Sequence, residues 1–223
     1  IHINNISLFG FKYLFNIIIM NKIVILGRGE SLKKLSEFNN KNINTIILVN
    51  EFWDCPYIPN SYYKDTLIHN FIKDKKIILI ATHCCNFSKI QPFLNRYNVI
   101  KKYKTNFSKK IRISTNGLFK VLPDEIIEPY IHLEKNFGST GSTAVAILYT
   151  IITLNINEIY IFGLDFYEKD YYLSNNYNYK LEKSKSKLIK KSWIDFFENY
   201  KDFKFNVYTN ADFNCILKNV NVF

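Results

Sequence analysis

From Lys22 onward the chain alternates between two patterns. Short unbroken apolar runs, IVIL at Ile23–Leu26, IILV ending at Val49, KIILIA at Lys76–Ala81 and EIYIF at Glu158–Phe162, each stop at a polar residue or a glycine. Runs of this length without polar alternation predict strands buried on both faces, the second of them starting near Asn44. Between them the apolar spacing widens. In SLKKLSEF, Leu32 and Leu35 share one helix face, and Ser31 is placed to cap it. SKIQPFLNRY predicts a helix or helical turn, NVIKKYK a short strand, Thr143–Leu154 a helix, and LIKKSWIDFFENY an amphipathic helix followed by a final strand in KFNVYT. The lysine-rich stretch Tyr179–Lys191 is expected to be a mobile, lid-like loop leading into that last helix. Phe107–Glu134 has a mixed pattern and yields no assignment. Strands alternating with helices predict an α/β fold with a mainly parallel sheet covered by helices on both faces.

Composition sets bounds on this picture. A chain of 223 residues suits one ordinary domain, and 48% apolar content supplies a core and excludes wholesale disorder. The formal net charge of +11 invites a polyanionic partner. However, Lys, Asn, Ile, Tyr and Phe are abundant together, as in AT-rich coding sequence, and no nucleic-acid-binding motif accompanies the charge. A solvated basic surface accounts for it, an anionic substrate is the more specific reading, and a basic nucleic-acid-binding module stays open. Cys55, Cys84, Cys85 and Cys215 form no C-x-x-C pair, which predicts reduced thiols in a reducing, cytoplasmic setting. His83 beside Cys84 has no second cluster at metal-ligand spacing, so no metal site is expected. The only methionine is Met20. Residues 1–19 hold Lys12 and several Asn, too polar for a spanning helix and without a signal-peptide layout. They are read as an upstream-translated leader outside the fold, with a peripheral membrane anchor as the alternative, and residues 20–223 as a single domain.

In a parallel α/β sheet, ligands sit at the carboxyl ends of the strands. That rule selects Gly27–Ser31, Asn50–Trp53 and Gly163–Tyr172. Gly27 and Gly29 would let backbone approach a ligand, although a plain tight turn explains them equally. The spacing is neither G-x-G-x-x-G nor a P-loop. Asn50 can bond a ribose or phosphate or merely close a turn, and Phe52 and Trp53 can wall a site or pack in the core. A fourth place is KNFGSTGSTAVAIL: two of the seven glycines fall within four residues, among Ser139, Thr140, Ser142 and Thr143. Hydroxyls and free N–H groups at a helix start could cradle a phosphate or carboxylate, or simply cap a helix packed close to the sheet.

The two blocks ILGRGESLKKL…IILVNEF and STGSTAVAI…NEIYIFGLDFY together resemble the bacterial sialyltransferases of glycosyltransferase family 42, and more distantly the sialyl motifs of the eukaryotic family. The resemblance covers roughly Asn21–Phe52 and Gly138–Tyr167, with a fainter match over Lys185–Leu217. It implies a Rossmann-like domain that transfers sialic acid, or a related nonulosonic acid, from a CMP-sugar to a glycan hydroxyl. The donor is the only small molecule implied: no cofactor and no metal. The absence of a D-x-D pair agrees, since a CMP-sugar carries one phosphate. Partners would be that donor and a glycan acceptor, with peripheral membrane contact as an addition.

By position, the resemblance places Gly27, Arg28, Gly29 and Ser31 in the donor-binding loop and Asn50 on the nucleotide or sugar. Ser139, Thr140 and Gly141 would contact the donor, and Gly163 and Asp165 would line the cytidine side. Tyr167 matches a tyrosine that hydrogen-bonds the leaving phosphate, and Tyr171 or Tyr172 fits a second one. A phenol can donate to developing negative charge while staying neutral at pH 7. Three departures stand out. Arg28 replaces an asparagine, the spacing after Gly141 is about one helical turn longer (so that Ser142-Thr143-Ala144 is an alternative counterpart), and EKSKSKLIKK holds no histidine where the family places its general base. Lys185 falls near that place. His132 is the best substitute in sequence, with Asp165 and Asp170 as alternatives. Loss of the base leaves open a CMP-sugar-binding relative without transfer.

Overall fold

The computed structural model describes residues 22–39, 41–50, 52, 62–82, 90–104, 118–137, 141–169, 171–173 and 183–223. The strands are β1 (Lys22–Leu26), β2 (Thr45–Val49), β3 (Lys76–Ala81), β4 (Val99–Lys104), β5 (Lys120–Val121), β6 (Glu158–Phe162), β7 (Lys204–Tyr208) and β8 (Val220–Val222). They form one sheet in the order β5-β4-β3-β2-β1-β6-β7-β8, and every pairing is parallel. The helices are α1 (Thr66–Ile72), α2 (Gln91–Arg96), α3 (Asp124–Phe137), α4 (Gly141–Tyr149) and α5 (Lys183–Asn199), with a 3-10 helix at Glu30–Ser36 and another at Tyr62–Lys64. The architecture is the expected Rossmann-like one.

The unbroken apolar runs have a simple cause. Successive side chains on a strand point to opposite faces. Ile23 and Ile25 of β1, Ile47 and Val49 of β2, and Ile78 and Ile80 of β3 enter the core under α4 and α5. Val24 and Leu26, Ile46 and Leu48, and Ile77 and Leu79 enter a second core with the Glu30–Ser36 helix, α1 and α2. Both faces are covered, so apolar residues fill both parities of the central strands. Trp193, Phe196 and Phe197 give α5 a fully buried aromatic face. Each such ring removed from water contributes on the order of 2–3 kcal/mol.

The structure corrects three expectations and fills one unassigned region. Lys183–Lys191 is the first half of α5, so much of the stretch expected as a mobile lid is helix; residues 179–182 lie outside the described residues. The helix expected over Thr143–Leu154 begins at Gly141 and turns π-helical at Thr150–Leu154. There the Thr150 hydroxyl bonds back to the Ala146 carbonyl at 2.8 Å, and Asn155 closes the helix at φ 51°. β7 is not the last strand, because β8 pairs beside it. The unassigned region supplies β5 and α3. Residues 1–21 lie outside the described residues. Among the described residues, no helix is long and apolar enough to cross a membrane.

Candidate functional site

Strand order locates the site. The chain runs outward from β1 through β2, β3, β4 and β5, returns to β6 on the other side of β1, and continues to β7 and β8. The direction reverses between β1 and β6, and the carboxyl ends of the strands at such a switch point are where α/β sheets bind ligands.

Three glycines join the loops that follow β1 and β6. The Gly27 N–H donates to the Phe162 carbonyl at 2.7 Å and the Gly29 N–H to the Gly163 carbonyl at 3.0 Å, extending the β1–β6 ladder past both strands. A Cβ on Gly27 would lie 2.6 Å from the Gly163 oxygen, and one on Gly29 2.8 Å from the same atom. Gly163 itself has φ +73°. These positions require glycine because two loops touch backbone to backbone there.

Asp165 ties the same loops together. Its carboxylate is buried and accepts from the Ser31 N–H at 2.8 Å, the Asn210 N–H at 2.8 Å and the Thr209 hydroxyl at 3.1 Å. Ser31 does not cap its helix; Gly29 holds that position, and the Ser31 hydroxyl accepts the Gly163 N–H at 3.0 Å. With three donors on two oxygens, Asp165 binds the ends of β1, β6 and β7 together.

A second polar knot joins β2, β3 and α4. Asn50 has φ 63° and is nearly fully buried. Its amide Nδ2 donates to the Ser142 hydroxyl at 2.7 Å, and its Oδ1 accepts from the Thr82 N–H at 3.2 Å and the Thr82 hydroxyl at 3.1 Å. Ser142 is the second residue of α4, whose first, Gly141, has φ +69°. The amino-terminal end of α4, with the positive end of its dipole, therefore lies at the carboxyl end of the sheet. The Tyr167 hydroxyl lies 3.5 Å from where a Cβ on Gly141 would stand. The structure thus brings Asn50, Ser142, Gly141 and Tyr167 to one place. Ser139 and Thr140 lie outside the described residues.

The remaining candidates are distributed. Tyr171 pairs its backbone with Gly29, and the Arg28 guanidinium sits 4.8 Å from its ring centre. The Tyr172 N–H donates to the Arg28 carbonyl at 2.9 Å, and its hydroxyl donates to Asp65 at 3.3 Å. Burial, then the Asp65 charge, raises its phenol above the ordinary value of 10.0. Asp65 also caps α1, so the Tyr172 hydroxyl is engaged in holding the loop. His132 is exposed on α3. Phe52 is core, packed on Tyr62 with ring centres 5.0 Å apart. Glu51, Trp53, His83, Cys84, Cys85, Cys55 and Asp170 lie outside the described residues. Among the described residues, no group of three or more His, Cys, Asp or Glu could hold a metal ion.

Sequence reasoning missed Thr82 and Thr209. Both directly follow apolar strands, so the strand-end rule that selected Asn50 would have found them. It also missed the ion pair of Glu168 with Lys190 at 2.6 Å, for which no local signal exists.

No family model and no curated protein matches the sequence. Solved structures do share its fold. The sialyltransferase CST-II in complex with a trisaccharide acceptor and CMP superposes with a TM-score of 0.53 at 20% identity, over 89% of this chain and 86% of that one. CstII from Campylobacter jejuni in complex with the substrate analogue CMP gives 0.52 at 17% identity, over 91% and 87%. The monofunctional alpha-2,3-sialyltransferase Cst-I from Campylobacter jejuni gives 0.53 at 17% identity, over 91% and 80%. At these identities the likeness establishes the fold.

Proposed function

We propose that this protein is a glycosyltransferase that takes sialic acid, or a related nonulosonic acid, from a CMP-sugar and passes it to a glycan hydroxyl. The observation that carries this reading is the convergence of the α4 N-terminus, Asn50 and Tyr167 near the β1/β6 switch point, in a fold shared with sialyltransferases solved with CMP.

In this reading the CMP phosphate lies against the first turn of α4, where the backbone N–H groups and the helix dipole favour an anion. The Tyr167 hydroxyl donates to the phosphate as the glycosidic bond to CMP breaks and negative charge builds there. Asn50 holds Ser142 and the start of α4 in register with the ends of β2 and β3, and its second amide hydrogen can serve the donor. The arrangement supplies countercharge for one phosphate from the protein itself, so the proposed reaction uses no divalent ion.

The acceptor hydroxyl must lose a proton as it attacks. Asp165 already accepts from three donors, and His132, Asp170 and Lys185 are the other candidates carried over from the sequence. A second reading, a CMP-sugar-binding protein without transfer, draws on one observation: EKSKSKLIKK contains no histidine.

Incubating the full chain with CMP-sialic acid and a panel of galactose-terminated glycans, with CMP release and product mass followed together, tests the proposal. Released CMP matched by sialylated glycan supports transfer. CMP binding without either product supports the second reading. A chain that neither binds nor consumes the donor would sink both.

A further inference from the structure

We infer that Glu168 and Lys190 form a latch that holds Tyr167 at the start of α4, which makes them positioning residues for the donor site. The inference rests on the role proposed above for Tyr167.

Tyr167 sits in a backbone conformation it does not favour. Phe166 and Tyr167 have φ values of 49° and 60°. Two successive bulky residues in the left-handed region persist only where flanking structure over-determines them. On the amino-terminal side the anchor is Asp165, fixed by Ser31, Thr209 and Asn210. On the carboxyl-terminal side it is Glu168. The Glu168 N–H donates to the Asp165 carbonyl at 2.8 Å and closes the turn.

The Glu168 carboxylate then ties that turn to α5 and to the loop after β7. It receives the Lys190 ammonium at 2.6 Å, the Ser186 hydroxyl at 2.9 Å and the Asp212 N–H at 3.1 Å. Lys190 also donates to the Asp212 carbonyl. The two charged side chains are only 16% and 23% exposed. A solvated surface pair holds little in place; a shielded pair with further hydrogen bonds on both partners is a specific geometric constraint. Phe166 adds an apolar contact on the same side, its ring centre 4.3 Å from that of Phe213 and 6.4 Å from that of Trp193 on α5. Tyr167 therefore lies between two clamped carboxylates. Releasing Glu168 frees the turn to relax toward ordinary backbone angles, which swings the phenol away from Gly141.

Full-length Glu168→Gln, Lys190→Met and the reversed pair Glu168→Lys with Lys190→Glu, each checked for folding by circular dichroism, test this in two ways. Tyrosine labelled with 13C at Cζ reports the phenol directly by NMR, the Tyr167 signal being the one lost in Tyr167→Phe. Both single variants are expected to shift or broaden that signal and to weaken CMP binding about fivefold to tenfold, with partial recovery in the reversed pair. In a Tyr167→Phe background, Glu168→Gln is expected to cost about twofold or less in CMP affinity. An unmoved Tyr167 signal in both single variants would overturn the latch. So would a loss of CMP affinity by the same factor in the Tyr167→Phe background, which marks a merely structural role. Failure of the parent chain to bind CMP would sink the donor-site reading instead, and the Tyr167 signal alone would then decide the latch.

Discussion

Replacing Asn50 separates backbone strain from side-chain bonding at the centre of the site. The side chain makes three hydrogen bonds, to Ser142 and twice to Thr82, from a buried position at φ 63°. Asn50→Ala removes all three and puts a Cβ residue without a polar handle into the left-handed region. Disrupting hydrogen bonding at a buried polar cluster costs about 1–3 kcal/mol, and the left-handed conformation adds about 1 kcal/mol for alanine. Asn50→Gly loses the same bonds but not the conformational term, so it is expected to be the milder change by about 1 kcal/mol. That reverses the order at ordinary positions, where alanine is the better residue by about 0.4–1 kcal/mol. At this chain length each kcal/mol shifts Tm by about 2–4 °C. Asn50→Ala should then melt about 6–12 °C below the parent if its cost is about 3 kcal/mol. Urea unfolding of the parent and both variants, monitored by tryptophan fluorescence, gives the comparison. An alanine variant as stable as the glycine variant would refute the strain argument. A loss below about 0.5 kcal/mol in both would refute the knot itself.

Other consequences can be checked separately. Gly163→Ala places a Cβ 2.6 Å from the Gly27 carbonyl oxygen at φ +73°; with backbone on both sides it should lose about 3 kcal/mol or more, read from the urea midpoint. Glu158 and Glu168 are pushed up by burial but held below the ordinary 4.5 by stronger opposing bonds, from Lys204, Tyr160 and Lys22 in the first case and from Lys190, Ser186 and the Asp212 N–H in the second. The unfolded chain then binds more protons, so their stabilisation is complete above pH 4.5 and fades as pH falls through the depressed folded values. Melting temperatures across pH 3 to 6 should drop on the acid side, and drop less in Glu168→Gln. If transfer is observed, Tyr167→Phe should lower kcat by about 10²-fold with a smaller change in donor KM, and EDTA should leave the rate unchanged.

Most of the sheet is legible in the sequence because a strand buried on both faces leaves an unbroken apolar run. Where burial is incomplete, the signal fades. β8 has polar Asn221 at its centre, and β5 is two residues long at the sheet edge, so neither carries a run. The amino-terminal half of α5 reads as a lysine-rich loop because its buried positions there are Ser186 and Ile189, with exposed Lys between them. At the site, the strand-end rule finds places but not roles. Gly27 and Gly29 meet Gly163, more than a hundred positions along the chain, and no local pattern tells room for a ligand from room for another backbone. The same distance hides the bond from Ser31 to Asp165, so a residue that looks like a cap turns out to be a clasp.

The most direct test of the central claim is a calorimetric titration of the full chain with CMP at low and high salt. A CMP-sugar donor site should give saturable one-to-one binding that UMP does not match, that survives added salt, and that weakens in Tyr167→Phe. Absence of saturable binding, or binding shared by any polyanion that collapses steeply as salt rises, would contradict it and point to the basic surface instead.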